Sequence, residues 1–319
     1  MWGTTEKQIN RLFNLTMNEI GESRDLAKKE ARSGGAKTFT DVAKETGINS
    51  YGTADTYKKT WEKLADFAQE KNVKDVEMIS GKIVKCFMQD QIKRSTSINH
   101  VRKVSSAVLK MSYALQRYAD ENKTGRTYNW EGKVSNIRNV AKAQVNHKKM
   151  NKGIEGRGFS DPIEVVNNIR NDRQDLVLVA KIQHEGGVRI SEATHIKSEQ
   201  LMGIGKDPFG GREVGVVNIR GKGGKRREIY ISKNTYSELE KCTKDGVFKV
   251  AKTTYTSAVR DAALVAGQRY TGTHDFRHSW VQNRYNSILE MGYGTGQALS
   301  ATSEDIGHVR PDITELYLK

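Results

Sequence analysis

Cysteine is scarce in this chain. Its 319 residues include only Cys86 and Cys242, which lie far apart in the sequence. Two isolated thiols supply neither a disulfide framework nor a zinc-binding cluster. The sequence therefore favours a protein of a reducing compartment, and we expect the cytoplasm.

Long hydrophobic runs are also missing. No run approaches the roughly 18 apolar residues that a membrane-spanning helix requires. Residues 1–11 are polar and lack the apolar segment of a secretory signal. Hydrophobic residues make up 36% of the chain and charged residues 29%, which is typical of a globular protein large enough for two domains.

Acidic residues are too few to balance the basic ones. The chain has 53 Lys and Arg against 38 Asp and Glu, a formal net charge of +15. Such a surplus bears on binding partners, and nucleic acid leads because neutralised phosphates release their counterions. An anionic membrane surface would require a basic amphipathic stretch with exposed aromatic residues, and the sequence contains none that is convincing. No membrane is therefore expected among the partners.

The first half of the chain carries helical patterns of apolar residues. One stripe follows a turn at residues 50–53, and a second stripe advances in steps of three and four. We interpret both as the packing faces of a helical bundle and assign residues 1–132 to a helical domain. The stripes comprise Tyr57, Trp61, Leu64, Ala65 and Ala68, then Ile98, Val101, Val104, Val108, Met111, Leu115 and Tyr118.

The composition changes over residues 133–160. This stretch has seven Lys or Arg, one acid and three closely spaced glycines. Because glycine loosens the chain and like charges repel, the stretch predicts a flexible basic linker, with an ordinary solvated loop as the alternative. Five of its basic residues are candidate contacts for nucleic-acid phosphates: Lys142, Lys148, Lys149, Lys152 and Arg157.

The second half mixes helical and strand patterns. A helix is predicted over 172–184 and ends at a Gly-Gly pair. Val and Ile enrichment predicts strands over 214–220 and 227–231, joined by a glycine-rich hairpin tip. Helical patterns return after Thr254. We therefore predict a domain of helices with a small antiparallel sheet over residues 161–319.

Five local features of the second half carry chemistry when taken in order. They are an arginine after a glycine turn with an acid three residues later, a lysine on the hairpin tip, a His-x-x-Arg motif, a Gly-His pair, and a tyrosine nine residues after that histidine. Each feature alone is weak, and the specificity lies in the ordered set. Its members are Arg189, Glu192, Lys222, His274, Arg277, His308 and Tyr317.

In this order the features resemble the active site of the tyrosine recombinases, the phage-integrase and Xer-like site-specific DNA recombinases. The motifs cover about residues 161–317, whereas the first half matches in layout only. The resemblance implies a mainly α fold. An all-helical DNA-clamping domain (1–132) would be joined by the linker (133–160) to an α+β catalytic domain (161–319).

The resemblance also implies roles for these residues. The catalytic set would be Arg189, Lys222, His274, Arg277, His308 and Tyr317, with Glu192 orienting its basic neighbours. Tyr317 would be the nucleophile and form a 3′-phosphotyrosyl link, while Lys222 would protonate the departing 5′ oxygen and His274 would act as acid or base. A phenol has an ordinary pKa of about 10, so it needs a nearby base and cationic surroundings.

Elementary chemistry agrees with this assignment. A phosphodiester under attack gathers negative charge on its non-bridging oxygens. Arg189 and Arg277 can clamp that charge in a planar, bidentate way that lysine cannot match, and His308 would add a donor. Such preorganised donors commonly contribute the largest share of catalysis.

The same resemblance defines the expected partners. The covalent intermediate conserves bond energy, so neither ATP nor a metal is required and no cofactor is expected. The partners implied are double-stranded DNA sites and further copies of the chain, as a tetramer on DNA. Accessory DNA-bending or directionality proteins are further candidates. The protein would associate with the nucleoid when bound to DNA.

Two other functions stay open at this point. A metallohydrolase could use His274 and His278, one helical turn apart, with His308 as a third ligand. Against this, Asp275 replaces the glutamate of the zinc-protease motif and Arg277 would repel a cation. A non-catalytic DNA-binding protein could keep the same fold. We interpret His278 as a hydrogen-bonded core residue and Trp280 as core as well.

Two features depart from the family pattern. Arg277 and His308 are 31 residues apart, and the interval contains the glycine-rich stretch 292–296, which predicts an insertion or an unusual turn. Only Leu318 and Lys319 follow Tyr317, whereas many family members continue with a helix that docks on a neighbouring subunit. Either the sequence is truncated there or the subunits couple differently.

Overall fold

A computed structural model describes residues 3–16, 24–95, 97–137, 157–221, 226–308 and 311–318. The chain divides into two compact units, Met1–Gly153 and Ile154–Lys319. Within the described ranges, no helix combines the length and the apolar character that crossing a membrane would demand.

The first unit is helical throughout its described part, apart from turns and loops. Both predicted stripes are confirmed as packing faces: Trp61 and Leu64 of one and Met111 and Leu115 of the other are buried in a single core. Trp61 also donates from Nε1 to the carbonyl oxygen of Ala107 at 2.7 Å, which joins the two long helices. The helices are α1 (Thr5–Asn14), α2 (Arg24–Ser33), α3 (Phe39–Glu45), α4 (Tyr51–Gln69), α5 (Gly81–Arg94), α6 (Ile98–Glu121) and α7 (131–137).

Both ends of the predicted linker, residues 133–160, contain side chains that pack into the two units. Helix α7 occupies its beginning, where Val134 and Ile137 are buried in the core of the first unit. At its other end Phe159 is buried in the core of the second unit. The burial of these apolar side chains outweighs the basic character of their neighbours. Residues 138–156, with four of the predicted phosphate-binding lysines, lie outside the described residues.

The second unit combines helices with two small antiparallel sheets. Its helices are α8 (Pro162–Asn167), α9 (Gln174–Gly186), α10 (Ile190–Ala193), α11 (Lys233–Cys242), α12 (Lys252–Val265), α13 (Asp275–Glu290), α14 (Thr295–Asp305) and α15 (Pro311–Thr314). Its strands are β1 (His195–Lys197), β2 (Leu201–Lys206), β3 (Glu213–Arg220), β4 (Arg226–Ile231) and β5 (Val247–Lys249). The strand orders are β2-β3-β4 and β1-β5. The predicted hairpin corresponds to β3 and β4.

A close approach between α9 and α13 positions the functional segments. Helix α9 is followed by Gly187, which caps it with a left-handed φ of 60°. A Cβ atom at this position would lie 2.5 Å from the ring of Trp280 on α13. Glycine is therefore required both by the backbone conformation and by the space available.

A buried network of ion pairs connects helix α13 with the end of β2 and the end of α14. Arg284 of α13 forms a bidentate pair with Asp207, which follows β2, and donates from Nε to Asp305 at the end of α14. The unusual turn predicted between Arg277 and His308 is present: α13 ends at Glu290, Gly292 has a φ of 89°, and α14 begins at Thr295.

Candidate active site

Tyr317 lies in a short 3-10 turn, residues 315–317, directly after α15. Its hydroxyl group is 2.9 Å from Nε2 of His274. Its ring stacks on that of His278, with centroids 4.3 Å apart, and the guanidinium of Arg277 lies over the ring at 6.0 Å. The ring centroid of His308 is 5.5 Å away. The structure therefore brings four residues of the predicted catalytic set into one cluster.

His274 precedes the first turn of α13 and faces Tyr317 from there. Although His274 as a whole is exposed, desolvation of its ring, together with the charges of Arg277 and Arg189, lowers the pKa of His274 to about 4. The imidazole is consequently neutral at pH 7 and one ring nitrogen carries a lone pair. Its Nε2 can accept the phenol proton.

Arg277 is fully buried one turn further along α13. Nη1 donates to the carbonyl oxygen of Gly187 at 2.6 Å, and Nη2 donates to that of Ile306 at 2.7 Å. Burial and the charge of Arg189 lower the pKa of Arg277 to about 10, so the group is still cationic at neutral pH. Its Nε has no hydrogen-bond partner among the residues described. The two carbonyl groups hold the cation at a fixed place beside Tyr317.

Arg189 is held by Glu192 just before α10. Its backbone N–H and its Nη1 both donate to the Glu192 carboxylate, at 2.9 Å each. Arg227 of β4 donates to the same carboxylate from Nη2 at 2.7 Å and to the carbonyl oxygen of Asp305 from Nε at 3.0 Å. Burial disfavours the charge on Glu192, but the hydrogen bonds from Arg227 and Arg189 and the charge of Arg227 outweigh it and lower its pKa.

Arg227 was missed by the sequence interpretation. It lies in the basic run that follows the hairpin tip, where it resembles a solvent-facing strand residue. One signal was available in β4: side chains two residues apart share one face of a strand, so Arg227 lies on the same face as the buried Ile229 and Ile231. The long-range contacts of Arg227 with Glu192 and with the carbonyl oxygen of Asp305 distinguish it from its neighbour Arg226.

His308 follows α14 and is oriented by a hydroxyl group. Its Nδ1 is 3.0 Å from Oγ1 of Thr314, and its Nε2 is 3.5 Å from Nη2 of Arg277. Burial and the charges of Arg277 and Arg189 lower the pKa of His308 to about 4. The ring is therefore neutral at pH 7, although Arg277 and Arg189 lie close to it.

The interpretation of His278 as a hydrogen-bonded core residue is wrong in part. The side chain is buried, but its ring stacks on Tyr317 and its Nδ1 has no hydrogen-bond partner among the described residues. Burial and the neighbouring His274 lower the pKa of His278 to about 4. Trp280 is half-buried rather than core, and its Nε1 donates to the carbonyl oxygen of Glu185 at 2.7 Å.

Of the remaining predicted residues, only Arg157 lies within the ranges that the structure describes. Lys222, like Lys142, Lys148, Lys149 and Lys152, lies outside the described residues. Arg157 is exposed, and its carbonyl oxygen accepts from Gln282 Nε2, which also donates to the carbonyl oxygen of Tyr317. In the described part of the chain, no three His, Cys, Asp or Glu side chains are grouped so that they could hold a metal ion.

The chain is similar in structure to several solved proteins. No protein-family model and no curated protein sequence matches it. The XerH site-specific recombinase, in a post-cleavage complex with a palindromic difH substrate, superposes with a TM-score of 0.61 at 16% identity, over 99% of this chain and 93% of that chain. A lambda integrase dimer bound to a COC′ core site superposes with a TM-score of 0.52 at 13% identity, over 92% of this chain and 75% of that chain. A lambda integrase tetramer bound to a Holliday junction has a TM-score of 0.51 at 12% identity, over 96% of this chain and 79% of that chain.

At these identities the likeness establishes the fold. The predicted fold class is confirmed: mainly α, with a helical first part and a second part of helices and a small antiparallel sheet, as in the tyrosine recombinases.

Proposed function

We propose that this chain, whose fold is that of the tyrosine recombinases, is a site-specific DNA recombinase that cleaves and rejoins strands through a 3′-phosphotyrosyl intermediate. One observation carries the proposal: the Tyr317 hydroxyl lies 2.9 Å from Nε2 of a neutral histidine, His274. A nucleophile within hydrogen-bonding distance of its base, beside arginines, is the arrangement that phosphoryl transfer to a side chain requires.

The chemical step follows from this geometry. The Tyr317 hydroxyl donates its hydrogen bond to Nε2 of His274, and the phenolic oxygen attacks the phosphorus of the scissile phosphodiester. The phenol proton passes to His274 while the bond between phosphorus and the 5′ oxygen breaks. The departing 5′ oxygen takes a proton, which we assign to Lys222. Rejoining reverses each transfer, so the phosphotyrosyl bond supplies the energy for religation.

Cations of the cluster would stabilise the charge that develops on the non-bridging oxygens. Arg277 is held in place by the Gly187 and Ile306 carbonyl groups, so little reorganisation is needed when the charge appears. Arg189 is held similarly through Glu192. His308 would contribute a further contact from Nε2.

The proposed partner is double-stranded DNA, and the proposed assembly is a tetramer on paired sites. The net charge of +15 supports the first, because phosphate contacts dominate affinity for DNA. The structurally similar XerH is bound to its difH substrate, and lambda integrase is bound as a tetramer to a Holliday junction. Integration, excision and resolution all use this chemistry.

The geometry favours this function over a metallohydrolase. The ring of His274 contacts the Tyr317 hydroxyl through Nε2, and His308 contacts Thr314 through Nδ1. Desolvation and then the charges of Arg277 and Arg189 lower the pKa values of both histidines, and the same positive charge would oppose a divalent cation.

The test is covalent trapping on DNA. The substrates are overlapping duplexes that cover the DNA flanking the gene, with staggered nicks. Cleavage beside a nick releases a short fragment that diffuses away, which leaves the protein attached to the DNA. We expect the wild-type protein to form an adduct that survives denaturing electrophoresis and EDTA. Tyr317→Phe should form no adduct while it retains DNA affinity, because one hydroxyl group is removed and the phosphate contacts remain.

Tyr293→Phe is the matched control. Tyr293 is an exposed tyrosine of the same unit, packed edge-on against Phe209, and its replacement should leave the adduct unchanged. An adduct formed by Tyr317→Phe would refute the assigned nucleophile. If no duplex gives an adduct with the wild-type protein, the proposed activity is wrong. Activity lost with EDTA and restored by zinc would support the metallohydrolase instead.

A further inference from the structure

We infer that Ser303 and Thr314 form a hydrogen-bond relay that fixes His308 in the tautomer with its proton on Nδ1, so that Nε2 faces Arg277 as a lone pair. Thr314 is thereby a positioning residue for the proposed reaction. The tautomer follows from the structure alone. Its effect on catalysis rests on the proposed function.

The relay connects three elements of the second unit. Oγ of Ser303, on α14, is 2.6 Å from the carbonyl oxygen of Leu299 and 2.8 Å from Oγ1 of Thr314, on α15. Oγ1 of Thr314 is in turn 3.0 Å from Nδ1 of His308. Ser303 is 2% exposed and Thr314 is fully buried, so water does not compete for these hydroxyl groups.

The direction of the relay follows from counting protons. A carbonyl oxygen can only accept, so the single hydroxyl proton of Ser303 is donated to Leu299, the shortest contact of the series. Ser303 then accepts from Thr314, whose only proton is used in that bond. Oγ1 of Thr314 is left as an acceptor, and Nδ1 of His308 must be the donor.

The other side of the ring leads to the same tautomer. Nη2 of Arg277 is 3.5 Å from Nε2 of His308, and a guanidinium group can only donate. A proton on Nε2 would point at another donor. Burial and the arginine charges lower the pKa of His308 to about 4, so the ring carries one proton at neutral pH. Both ring nitrogens therefore assign that proton to Nδ1.

This assignment has a consequence for the proposed reaction. With Nε2 unprotonated, His308 cannot donate to a phosphate oxygen in the free protein. It becomes a donor only when Nε2 takes up a proton from solvent, which an anionic phosphate beside Arg277 would favour. Thr314 lies three residues before Tyr317, so the relay also connects the histidine to the segment that bears the nucleophile.

Nitrogen-15 NMR of the histidine rings tests the tautomer in the full chain without DNA. The His308 signals are assigned by their loss in His308→Gln. We expect a protonated, pyrrole-type Nδ1 and an unprotonated, pyridine-type Nε2 at neutral pH. Thr314→Val replaces the hydroxyl by a methyl group of similar size, and it should shift the His308 signals towards the Nε2–H tautomer. Thr314→Ser retains the hydroxyl and should keep the wild-type pattern.

Unchanged signals from the other histidines show that each variant is folded. A wild-type Nε2–H tautomer, or a Thr314→Val spectrum identical to wild type, would overturn the relay. The cleavage assay then measures its effect. Thr314→Val should slow single-turnover cleavage by roughly 10- to 100-fold, less than loss of a catalytic acid or base, while Thr314→Ser restores it.

The two proposals fail separately. A relay confirmed by NMR in a protein that forms no adduct with DNA would refute the proposed function alone. A protein that cleaves DNA through Tyr317 but has His308 protonated on Nε2 would refute the relay alone.

Discussion

The Glu192 carboxylate is almost fully buried between two arginines. Its side chain is 4% exposed and that of Arg227 is 9% exposed, with 2.7 Å between them. Breaking a buried ion pair by removing one partner typically costs about 3–5 kcal/mol, and here Arg189 would still compensate part of the Glu192 charge. Arg227 also bonds the Asp305 carbonyl oxygen, next to the segment that carries His308. Arg227 therefore contributes to stability, and it helps to place two predicted catalytic residues, Arg189 through Glu192 and His308 through Asp305.

We predict that Arg227→Ala lowers the free energy of unfolding of the second unit by about 3 kcal/mol, the lower end of this range, because Arg189 still pairs with Glu192. Urea denaturation measures the change. Arg260→Ala is the matched control, because its pair with Asp261 is exposed, at 62% and 67%, and such pairs contribute about 0–1 kcal/mol. Equal losses in the two variants would contradict the role assigned to Arg227.

Three histidines around Tyr317 give the protein a defined acid sensitivity. His274, His278 and His308 each have a pKa lowered to about 4, chiefly because desolvation disfavours the charged ring. In the unfolded chain the pKa of each histidine returns to its ordinary value of about 6.5. Between these values the unfolded state binds more protons than the folded state, so their stabilising contribution is complete above pH 6.5 and is lost as the pH falls towards 4.

The expected result is a fall in the urea midpoint between pH 7 and pH 5, smaller in His278→Phe. Phenylalanine preserves an aromatic ring against Tyr317 and cannot titrate, and the Nδ1 that it removes has no hydrogen-bond partner among the described residues. A midpoint that is constant across this range, or a variant as acid-sensitive as the wild type, would show that the histidines titrate normally.

At the scale of elements, the sequence predicted long periodic segments and missed short ones. The stripes on α4 and α6 were visible because each repeats over several turns. Strands β1 and β5 have three residues each, too few for any alternation to stand out. Strand β2 is obscured for another reason: its inward positions include Gly203 and Gly205, while the apolar Met202 and Ile204 face outward.

The glycines of β2 have a packing reason that no local pattern contains. The Tyr236 hydroxyl accepts from the backbone N–H of Gly203 at 2.7 Å, and a Cβ on Gly205 would lie 2.8 Å from Val216. Both contacts come from residues distant in sequence. The reversed pattern of apolar residues in β2 is a consequence of that packing.

The candidate site divides in the same way. The ordered motifs identified His274, Arg277, His308 and Tyr317 because their spacing is readable along the chain. Other members of the cluster have no local signature, since each is defined by a contact with a residue distant in the sequence or across a turn: Arg227 with Glu192, His278 with Tyr317, and Thr314 with Ser303 and His308.

The turn that ends α9 supports a prediction of its own. Gly187 and Gly267 have nearly the same left-handed φ, 60° and 62°, but only Gly187 is close to another side chain. Gly267→Ala should cost about 1–2 kcal/mol, the penalty of a left-handed conformation. Gly187→Ala should cost roughly 1–3 kcal/mol more, because Trp280 must move. Urea denaturation of both variants measures the difference. Equal losses would show that the contact with Trp280 contributes nothing.

At the scale of the whole molecule, charge and chemistry are carried by different parts of the sequence. The basic surplus behind the net charge of +15 is largest over residues 101–150, which hold 11 Lys or Arg against 3 Asp or Glu, and it bears on affinity for phosphates. The proposed chemistry is confined to the second unit, where the cluster around Tyr317 is built from α13, the end of α14 and the turn after α15. A variant of the cluster should therefore separate cleavage from DNA binding.

The most direct measurement locates the covalent bond. Wild-type protein trapped on nicked DNA is digested with nuclease and protease, and mass spectrometry then identifies the modified residue. The account predicts a single nucleotide-bearing residue, Tyr317, joined through a 3′ phosphate. A phosphate on another residue, such as Tyr293 or a serine, or a link to a 5′ phosphate, would contradict it.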